Sequence, residues 1–285
     1  MTPARQPLTG LTVLVPRARD QASDFSALLR SRGAEPLEVP TIEIRPVAAT
    51  DELDRAVEDL AAGQFDWVVL TSVNGVAAVR ARAEASGRGP AALGAARVAA
   101  VGPATEAALR AWGVAPDLVP EVATTAALGE SFPRSAGGPP RRSPGPPRST
   151  GGPPRRSLGP PRGPGRVLLA RADLANPELA VTLRAKGWEA IEVVAYHTVP
   201  LGRLDPAARR RLDGGEVDWV AFTASSTVEG FLRGYGGPPP PGVRVAAIGP
   251  VTADTARSAG IPVATTATEH TIGGLVEAIE HAVTG

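Results

Sequence analysis

The sequence predicts an α/β fold of two similar domains, each built on a parallel β-sheet. Short apolar runs rich in β-formers alternate with helical patterns, which is typical of parallel sheets with right-handed crossover connections. The chain also repeats itself, because residues 167–200 match residues 13–46 at a constant offset of 154 positions. This duplication predicts two domains of the same design.

The repeat is clearest in a strand–Gly–Pro–helix element that occurs twice. Residues 98–105 read Val-Ala-Ala-Val-Gly-Pro-Ala-Thr, and residues 245–252 read Val-Ala-Ala-Ile-Gly-Pro-Val-Thr. Proline suits the first helical position, because the N–H that it lacks would have no intrahelical partner there. A helix start offers free N–H groups and the positive end of the helix dipole, which favour phosphate or carboxylate. Two copies indicate two domains that direct similar helix starts at one anionic ligand.

The elements of the first half follow in order. A strand over Leu11–Val15 precedes a helix whose apolar face includes Phe25 and which ends at Gly33. A second strand covers Glu35–Val39, and residues 40–46, bracketed by prolines, favour an extended tether over a core strand. The remaining predicted elements of this half are a helix over 51–62, a strand over 65–70, a further helix, the first Gly-Pro strand and helix, a short strand over 116–119, and a helix over 126–132 capped by the pair Thr124-Thr125.

Residues 134–165 differ sharply in composition from the rest of the chain. The sequence Gly-Gly-Pro-Pro-Arg-Arg-Ser occurs at residues 137–143 and again at 151–157. With almost no apolar side chains, this insert cannot bury enough surface to offset the entropy of ordering it. We therefore expect a disordered basic loop with local polyproline character. It is either an expanded surface loop without essential function or an adaptor for an acidic or SH3-like partner.

The second half repeats the first. A strand begins at Val167, residues 217–223 repeat residues 65–71, and residues 265–282 close the chain with a strand and a helix. Asp66 and Asp218 lie at strand entrances, opposite the usual ligand crevice of parallel sheets, and are interpreted as turn or cap residues. The tryptophans that follow these aspartates are interpreted as packing residues. Several residues with hydroxyl side chains follow the predicted strands, and each is either a helix cap or a ligand contact. They are Thr71, Ser72, Thr105, Thr223, Ser225, Ser226, Thr227 and Thr252.

Composition narrows the functional class. The 285-residue chain is 43% hydrophobic and 21% charged, as expected of a globular protein with a core. It contains no cysteine, which excludes disulfides, thiolate metal sites and cysteine nucleophiles, and its three histidines show no metal-ligand spacing. The net charge of +1 includes the arginines of the insert, so the rest of the chain carries a net negative charge. This negative charge argues against a nucleic-acid-binding surface on the folded parts. The sequence contains no Walker, GxGxxG or GxSxG motif. It also contains no signal-peptide core and no apolar run long enough to span a membrane, so we expect a soluble cytoplasmic protein.

Four short motifs carry a resemblance to a known family. They are Asp-Trp-Val-Val-Leu-Thr-Ser at residues 66–72, Val-Gly-Pro-Ala-Thr at 101–105, Val-Ala-Tyr-His-Thr at 194–198, and Ile-Gly-Pro-Val-Thr at 248–252. In order and spacing they resemble the uroporphyrinogen-III synthase family of tetrapyrrole biosynthesis. The resemblance covers nearly all of residues 11–283 apart from the insert.

The resemblance implies an architecture and a reaction. The architecture is a discontinuous domain of residues 1–39 and 201–285, a second domain of residues 40–200, linker strands at 40–46 and 195–200, and an active site in the cleft between the domains. The family converts hydroxymethylbilane, a linear polycarboxylate tetrapyrrole, to uroporphyrinogen III with loss of water and inversion of the last ring, without cofactor or metal. The implied protein is a monomer with no nucleic-acid or membrane partner, supplied with its unstable substrate by an upstream enzyme.

The resemblance also assigns residues. It places a tyrosine that assists departure of the substrate hydroxyl at Tyr196, whose first-half counterpart is Ile42 and which could otherwise be a packing residue at a hinge. The implied substrate contacts are Arg17, Ser72, Gly102, Thr105, Thr223, Ser225, Ser226, Gly249 and Thr252. Pro16 and Ala224 depart from the threonine and serine expected at their positions. Two alternatives stay open: a non-catalytic, two-lobed tetrapyrrole- or small-molecule-binding regulator of the same family, and an interaction protein that works through the insert.

Overall fold

The computed structural model describes residues 6–48, 51–135 and 164–285. Its strands are β1 (Thr12–Val15), β2 (Glu35–Glu38), β3 (Ile42–Pro46), β4 (Trp67–Leu70), β5 (Arg97–Ala100), β6 (Arg166–Ala172), β7 (Glu189–Pro200), β8 (Trp219–Phe222), β9 (Arg244–Ala247) and β10 (Thr265–Thr266). Its α-helices are α1 (Ser23–Ser31), α2 (Asp51–Ala61), α3 (Val73–Ala85), α4 (Pro103–Ala111), α5 (Thr125–Ser131), α6 (Glu178–Ala185), α7 (Pro206–Asp213), α8 (Ser225–Tyr235), α9 (Pro250–Ser258) and α10 (Ile272–Thr284).

The described residues fall into two compact units. The first unit contains the chain up to Pro46 and from His197 onward, and the second unit contains Val47–Tyr196. The resemblance implied boundaries after residues 39 and 200, whereas the two compact units divide after Pro46 and after Tyr196. The segments implied as linker strands contain β3 and the end of β7. Residues 136–163 of the predicted insert lie outside the described part of the chain.

The two sheets repeat one order of equivalent strands, which confirms the predicted duplication. The first sheet has the order β10-β9-β8-β1-β2 and the second β3-β7-β6-β4-β5. The series β9-β8-β1-β2 therefore corresponds to β5-β4-β6-β7, and the neighbouring strands within both series are parallel. Strand β10 pairs with β9, whereas the equivalent partner of β5 is reduced to a single bridge between Ala99 and Leu118.

This single bridge corrects the predicted strand over residues 116–119. Pro116 and Pro120 flank the bridge residue, and neither has an N–H to donate to a strand ladder. Asp117 instead supports β5, because its carboxylate accepts a hydrogen bond from the Val98 N–H at 2.7 Å and its own N–H donates to the Val98 carbonyl at 2.7 Å.

The aspartates predicted to be turn or cap residues connect the starts of neighbouring strands. Asp66 Oδ2 accepts from the Arg166 N–H, and Asp218 Oδ2 accepts from the Thr12 N–H, each at 2.7 Å. The tryptophans that follow both aspartates are buried, as predicted. The amino ends of the parallel strands are therefore structural, and ligand-binding side chains are expected at the opposite, carboxyl ends.

The central strands are buried on both faces. In β1, Val13 and Val15 belong to one core cluster and Leu14 to another. In the second unit, Val167 and Leu169 of β6 pack in a cluster with Phe132. Burial on both faces explains why these strands read as continuous apolar runs. Among the described residues, no helix combines the length and the apolar character needed to cross a bilayer.

The ends of the predicted insert belong to the fold of the second unit. The Ser135 N–H donates to the Lys186 carbonyl at 2.9 Å, and the Gly165 N–H donates to Ser135 Oγ at 3.1 Å. Gly165 lies against the Trp188 ring, where a Cβ would be 2.4 Å away. The chain leaves and re-enters the unit at neighbouring points, so the entropy cost of closing the connecting segment grows only slowly with its length.

Candidate active site

Tyr196 lies in β7, where the strand pairing shifts by one residue. Arg171 of β6 pairs with Val194, but the next residue, Ala172, pairs with Tyr196, so Ala195 is the extra residue of a bulge. Because successive strand residues point to opposite faces, this bulge decides which face of the sheet Tyr196 occupies. The Tyr196 residue is 8% exposed.

The Tyr196 phenol contacts the start of α3. Its Oη lies 2.9 Å from Ser72 Oγ, and Ser72 Oγ also accepts a hydrogen bond from the Gly75 N–H at 3.0 Å as the N-cap of the helix. The side chain of Asn74 hydrogen-bonds the same phenol. The structure therefore brings together two residues predicted from the sequence, Tyr196 and Ser72, and adds Asn74, which the sequence analysis missed.

The surroundings of Tyr196 keep it protonated. Burial raises the pKa of the phenol above its ordinary value, and the negative charge of Asp173 raises it further. The hydrogen bonds of Ser72 and Asn74 lower the pKa and offset part of this rise. Because the net shift is upward from about 10, Tyr196 is a neutral phenol at neutral pH and can give up a proton there.

Helix α3 starts close to the sheet because Gly75 has no side chain. A Cβ at this position would lie 2.9 Å from the carbonyl oxygen of Ala170, a backbone atom of β6. We expect Gly75→Ala to destabilise the protein by about 1–2 kcal/mol, because overpacking against the backbone outweighs the better helix propensity of alanine. Thermal unfolding measures the effect. Gly237→Ala, where a Cβ would meet nothing within 4 Å, is the matched control, and equal unfolding temperatures for both variants would contradict the expectation.

The Gly-Pro helix of the second unit, α4, follows β5 next to β4. Its N-cap, Gly102, has extended backbone angles (φ −178°, ψ −176°) that any residue can adopt. Glycine is needed for space, since a Cβ would lie 2.6 Å from Ala123 Cβ. Thr105 in the first turn is only 3% exposed. The Thr105 side chain is therefore largely closed to solvent at this helix start.

The matching helix of the first unit, α9, has the same geometry. Its N-cap, Gly249, is also extended (φ −175°, ψ 174°), and Thr252 in the first turn is 5% exposed. A Cβ at Gly249 would lie 3.1 Å from His270 Cδ2. At both Gly-Pro copies, other parts of the protein therefore occupy the space next to the glycine, which gives each glycine a packing role.

Some of the hydroxyl groups after β8 form hydrogen bonds within the first unit. Ser225 Oγ lies 2.7 Å from Thr255 Oγ1, and Thr255 Oγ1 donates to the Val251 carbonyl at 2.9 Å. Because the Thr255 hydroxyl has a single proton, Ser225 must be the donor in their bond and keeps only acceptor capacity. A carboxylate ligand needs donors, so Ser225 does not suit it in this arrangement. Thr223 and Ser226 are half-buried at the same helix start.

Ala224 makes the start of α8 chemically different from that of α3. It is the N-cap of α8, at the position that Ser72 occupies in the second unit. Its N–H donates to Thr227 Oγ1 at 3.3 Å, and the Thr227 hydroxyl donates to the Ala224 carbonyl at 2.6 Å. The backbone of this helix start is therefore bonded without an N-cap hydroxyl.

Arg17 supplies a positive charge at the carboxyl end of β1. Burial lowers the pKa of its guanidinium, and the negative charges of Asp20 and Asp24 oppose that shift. An arginine keeps its charge at neutral pH under such conditions. Pro16, the residue before it, is buried, and its carbonyl accepts a hydrogen bond from the Thr41 hydroxyl at 2.9 Å.

Within each unit the predicted contacts follow neighbouring parallel strands. In the first unit they follow β1, β8 and β9, and in the second unit they follow β4 and β5 while Tyr196 lies in β7. Each set therefore lies at the carboxyl edge of its own sheet. In the parts of the chain that the structure describes, no group of three or more histidine or acidic side chains could hold a metal ion.

A buried ion pair in β6 and β7 was also missed from the sequence. Arg171 is 6% exposed and pairs with Glu192, and its guanidinium donates to the Asn176 carbonyl at 2.7 Å. Glu192 also accepts from Arg184 at 3.0 Å. A cavity of about 310 Å³ opens beside the pair. The available signal was an arginine that directly follows the apolar run of a central strand.

Comparison with known proteins agrees with the resemblance. The family model described as uroporphyrinogen-III synthase HemD matches residues 23–148 and 156–277. A relative named uroporphyrinogen-III synthase, from Synechococcus elongatus, is 31% identical over 285 residues, covering 97% of this chain and 97% of the relative. A porphyrin biosynthesis protein HemD from Ruminiclostridium josui is 25% identical over 253 residues, covering 89% of this chain and 45% of that protein.

Solved structures share the fold. A mutant uroporphyrinogen III synthase from the extremely thermophilic bacterium Thermus thermophilus has a TM-score of 0.61 at 23% sequence identity, covering 96% of this chain and 98% of that one. The uroporphyrinogen-III synthetase of Helicobacter pylori has a TM-score of 0.54 at 15% identity, covering 94% and 97%. Since the family model matches most of the sequence and a relative matches nearly its full length, this chain belongs to the uroporphyrinogen-III synthase family.

Proposed function

We propose that this chain is a uroporphyrinogen-III synthase, a cofactor-independent lyase that converts hydroxymethylbilane to uroporphyrinogen III with loss of water and inversion of the last pyrrole ring. Membership of the family supports the reaction. The observation that carries the proposal is Tyr196, a buried phenol that stays protonated at neutral pH and whose oxygen is held beside Ser72 at the start of α3.

In this proposal Tyr196 is the general acid for the leaving hydroxyl. Its proton passes to that oxygen, the C–O bond breaks with its electron pair on the departing water, and a phenolate remains. The attacking pyrrole carbon loses a proton when the macrocycle closes, and that proton restores the phenol. A general acid of this kind contributes about 10²–10⁴-fold to the rate.

The substrate carboxylates are proposed to bind at the helix starts that follow the parallel strands. Helices α4 and α9 offer backbone N–H groups and positive dipole ends. Arg17 adds a full positive charge, and the side chains of Thr223 and Ser226 add neutral donors. Holding several carboxylates fixes one conformation of a flexible chain, which favours the inverted ring closure over the spontaneous one.

The product isomer tests the proposal. The purified protein is given freshly prepared hydroxymethylbilane, and the products are oxidised and separated by isomer. Uroporphyrinogen III is the expected product. Binding of the bilane with no change in the product isomers would instead identify a non-catalytic binding protein of the same family.

A further inference from the structure

The second unit exposes large apolar side chains where its parallel strands end. Leu174 follows β6, Val73 follows β4, and Val122 follows the single bridge beside β5, and all three are exposed. Because β6, β4, β5 and the bridge are neighbours in this order, these residues lie along one stretch of the carboxyl edge of the sheet. Tyr196 of β7 pairs with Ala172 at the end of β6, so the phenol lies next to the same stretch.

The fold does not require apolar residues at these three positions. The equivalence of the two halves follows from the offset of 154 residues in the first repeat, from the first residues of α3 and α8, and from the spacing of the two Gly-Pro copies, which the N-caps of α5 and α10 keep. The residues equivalent to Leu174, Val73 and Val122 are Asp20, Ser225 and Glu269. The first unit therefore forms the same edge with polar side chains, and packing does not explain the apolar ones.

The proposed substrate has two kinds of surface. Its carboxylates suit the helix starts and Arg17, whereas the faces of its pyrrole rings are aromatic and apolar and gain little from such donors. Covering these faces with apolar protein atoms removes them from water, which favours binding. Val73 directly follows Ser72, whose Oγ lies 2.9 Å from the Tyr196 oxygen, so exposed apolar surface begins beside the proposed acid.

We propose that Val73, Leu174 and Val122 form an apolar strip that contacts the faces of the pyrrole rings of the linear tetrapyrrole. The proposal rests on the proposed function, which supplies the substrate. Next to Tyr196 the strip has a second effect, because loss of the hydroxyl leaves an electron-poor methylene carbon. Water that adds to this carbon re-forms the C–O bond, releases a proton and regenerates the starting bilane. A ring packed against Val73 leaves less room for that water.

Val73→Thr tests the proposal because threonine has the shape of valine but carries a hydroxyl in place of one methyl group. The probe is a bilane with a methyl group in place of its terminal hydroxymethyl group, which cannot lose water, and its Kd is measured by calorimetry. We expect Kd to rise about three- to tenfold in Val73→Thr, and by a similar factor in Leu174→Asn and in Val122→Thr. Val73→Ile, which stays apolar, should bind the probe more tightly than Val73→Thr.

Val181→Thr is the matched control. Val181 is 59% exposed, compared with 40% for Val73, but it lies within α6 and not at the end of a strand. The control should leave Kd unchanged, and an equal loss of affinity there would overturn the inference.

The remaining outcomes separate this inference from the proposed function. Strip variants that bind the probe as tightly as a parent protein that forms uroporphyrinogen III would overturn the inference and leave the proposed function intact. A parent protein that binds the probe but forms none of that isomer would overturn the proposed function, while the Kd values, which need no turnover, would still decide whether the strip contacts the rings. A parent protein that does not bind the probe would overturn both.

Discussion

Tyr196→Phe is expected to lower kcat by about 10²-fold or more, because it removes the general acid and keeps the aromatic ring. The ring packs in a nearly buried position, so a phenylalanine fills the same space. KM should change little, since the phenol proton acts in the transition state and the carboxylates bind elsewhere. The initial rate of uroporphyrinogen III formation measures the effect.

The control for this substitution is Tyr235→Phe. Tyr235 donates to Asp213 at 2.7 Å on the exposed side of α8, and its loss should leave the rate of the parent protein unchanged. Equal thermal unfolding temperatures for the two variants would assign the rate difference to chemistry. A Tyr196→Phe protein that forms uroporphyrinogen III at the parent rate would show that the phenol takes no part in the reaction.

Glu192→Ala is expected to destabilise the protein by about 2–3 kcal/mol, because it leaves the buried guanidinium of Arg171 without its carboxylate. The value is below that of a fully buried pair, since the Glu192 side chain is 32% exposed. Arg171 keeps its hydrogen bond to the Asn176 carbonyl, which cannot neutralise the charge. Urea unfolding followed by tryptophan fluorescence measures the loss.

Two further variants distinguish the cost of leaving the Arg171 charge unpaired from the cost of losing the Glu192 contact itself. Arg171→Met combined with Glu192→Ala removes both charges and should recover a large part of the lost stability. Glu189→Ala breaks the more exposed pair with Arg166, which spans 3.5 Å, and should cost less than about 1 kcal/mol. The account of the pair is wrong if the double variant is as unstable as Glu192→Ala alone.

Much of the fold could be predicted because the two halves of the sequence carry the same pattern of strands and helices. The alternation of strands and helices and the constant offset between the halves predicted the parallel sheets that β9-β8-β1-β2 and β5-β4-β6-β7 form. Asp66 and Asp218 could be interpreted correctly because their position at strand entrances is a local pattern. The strand predicted over residues 116–119 was wrong because ladder formation depends on donors, and the prolines at its ends have none.

The site was harder to predict because its contacts join distant parts of the chain. Ser72 could be found as a residue after a strand, but its bond to Tyr196 spans 124 residues. The bulge at Ala195, which sets the face that Tyr196 occupies, depends on pairing with β6 and leaves no local signal. The resemblance implied a substrate contact at Ser225, and in this structure its proton is used in the bond to Thr255. Such competition between internal and ligand bonds becomes visible only with coordinates.

The most direct test of the account is the ratio of product isomers at increasing protein concentration and constant hydroxymethylbilane. The bilane closes spontaneously to the uninverted isomer, so catalysed and spontaneous closure compete for the same molecules. We expect the share of uroporphyrinogen III to rise with protein concentration until it dominates, and Tyr196→Phe to need far more protein for the same share. A product that remains the uninverted isomer at every protein concentration would contradict this expectation.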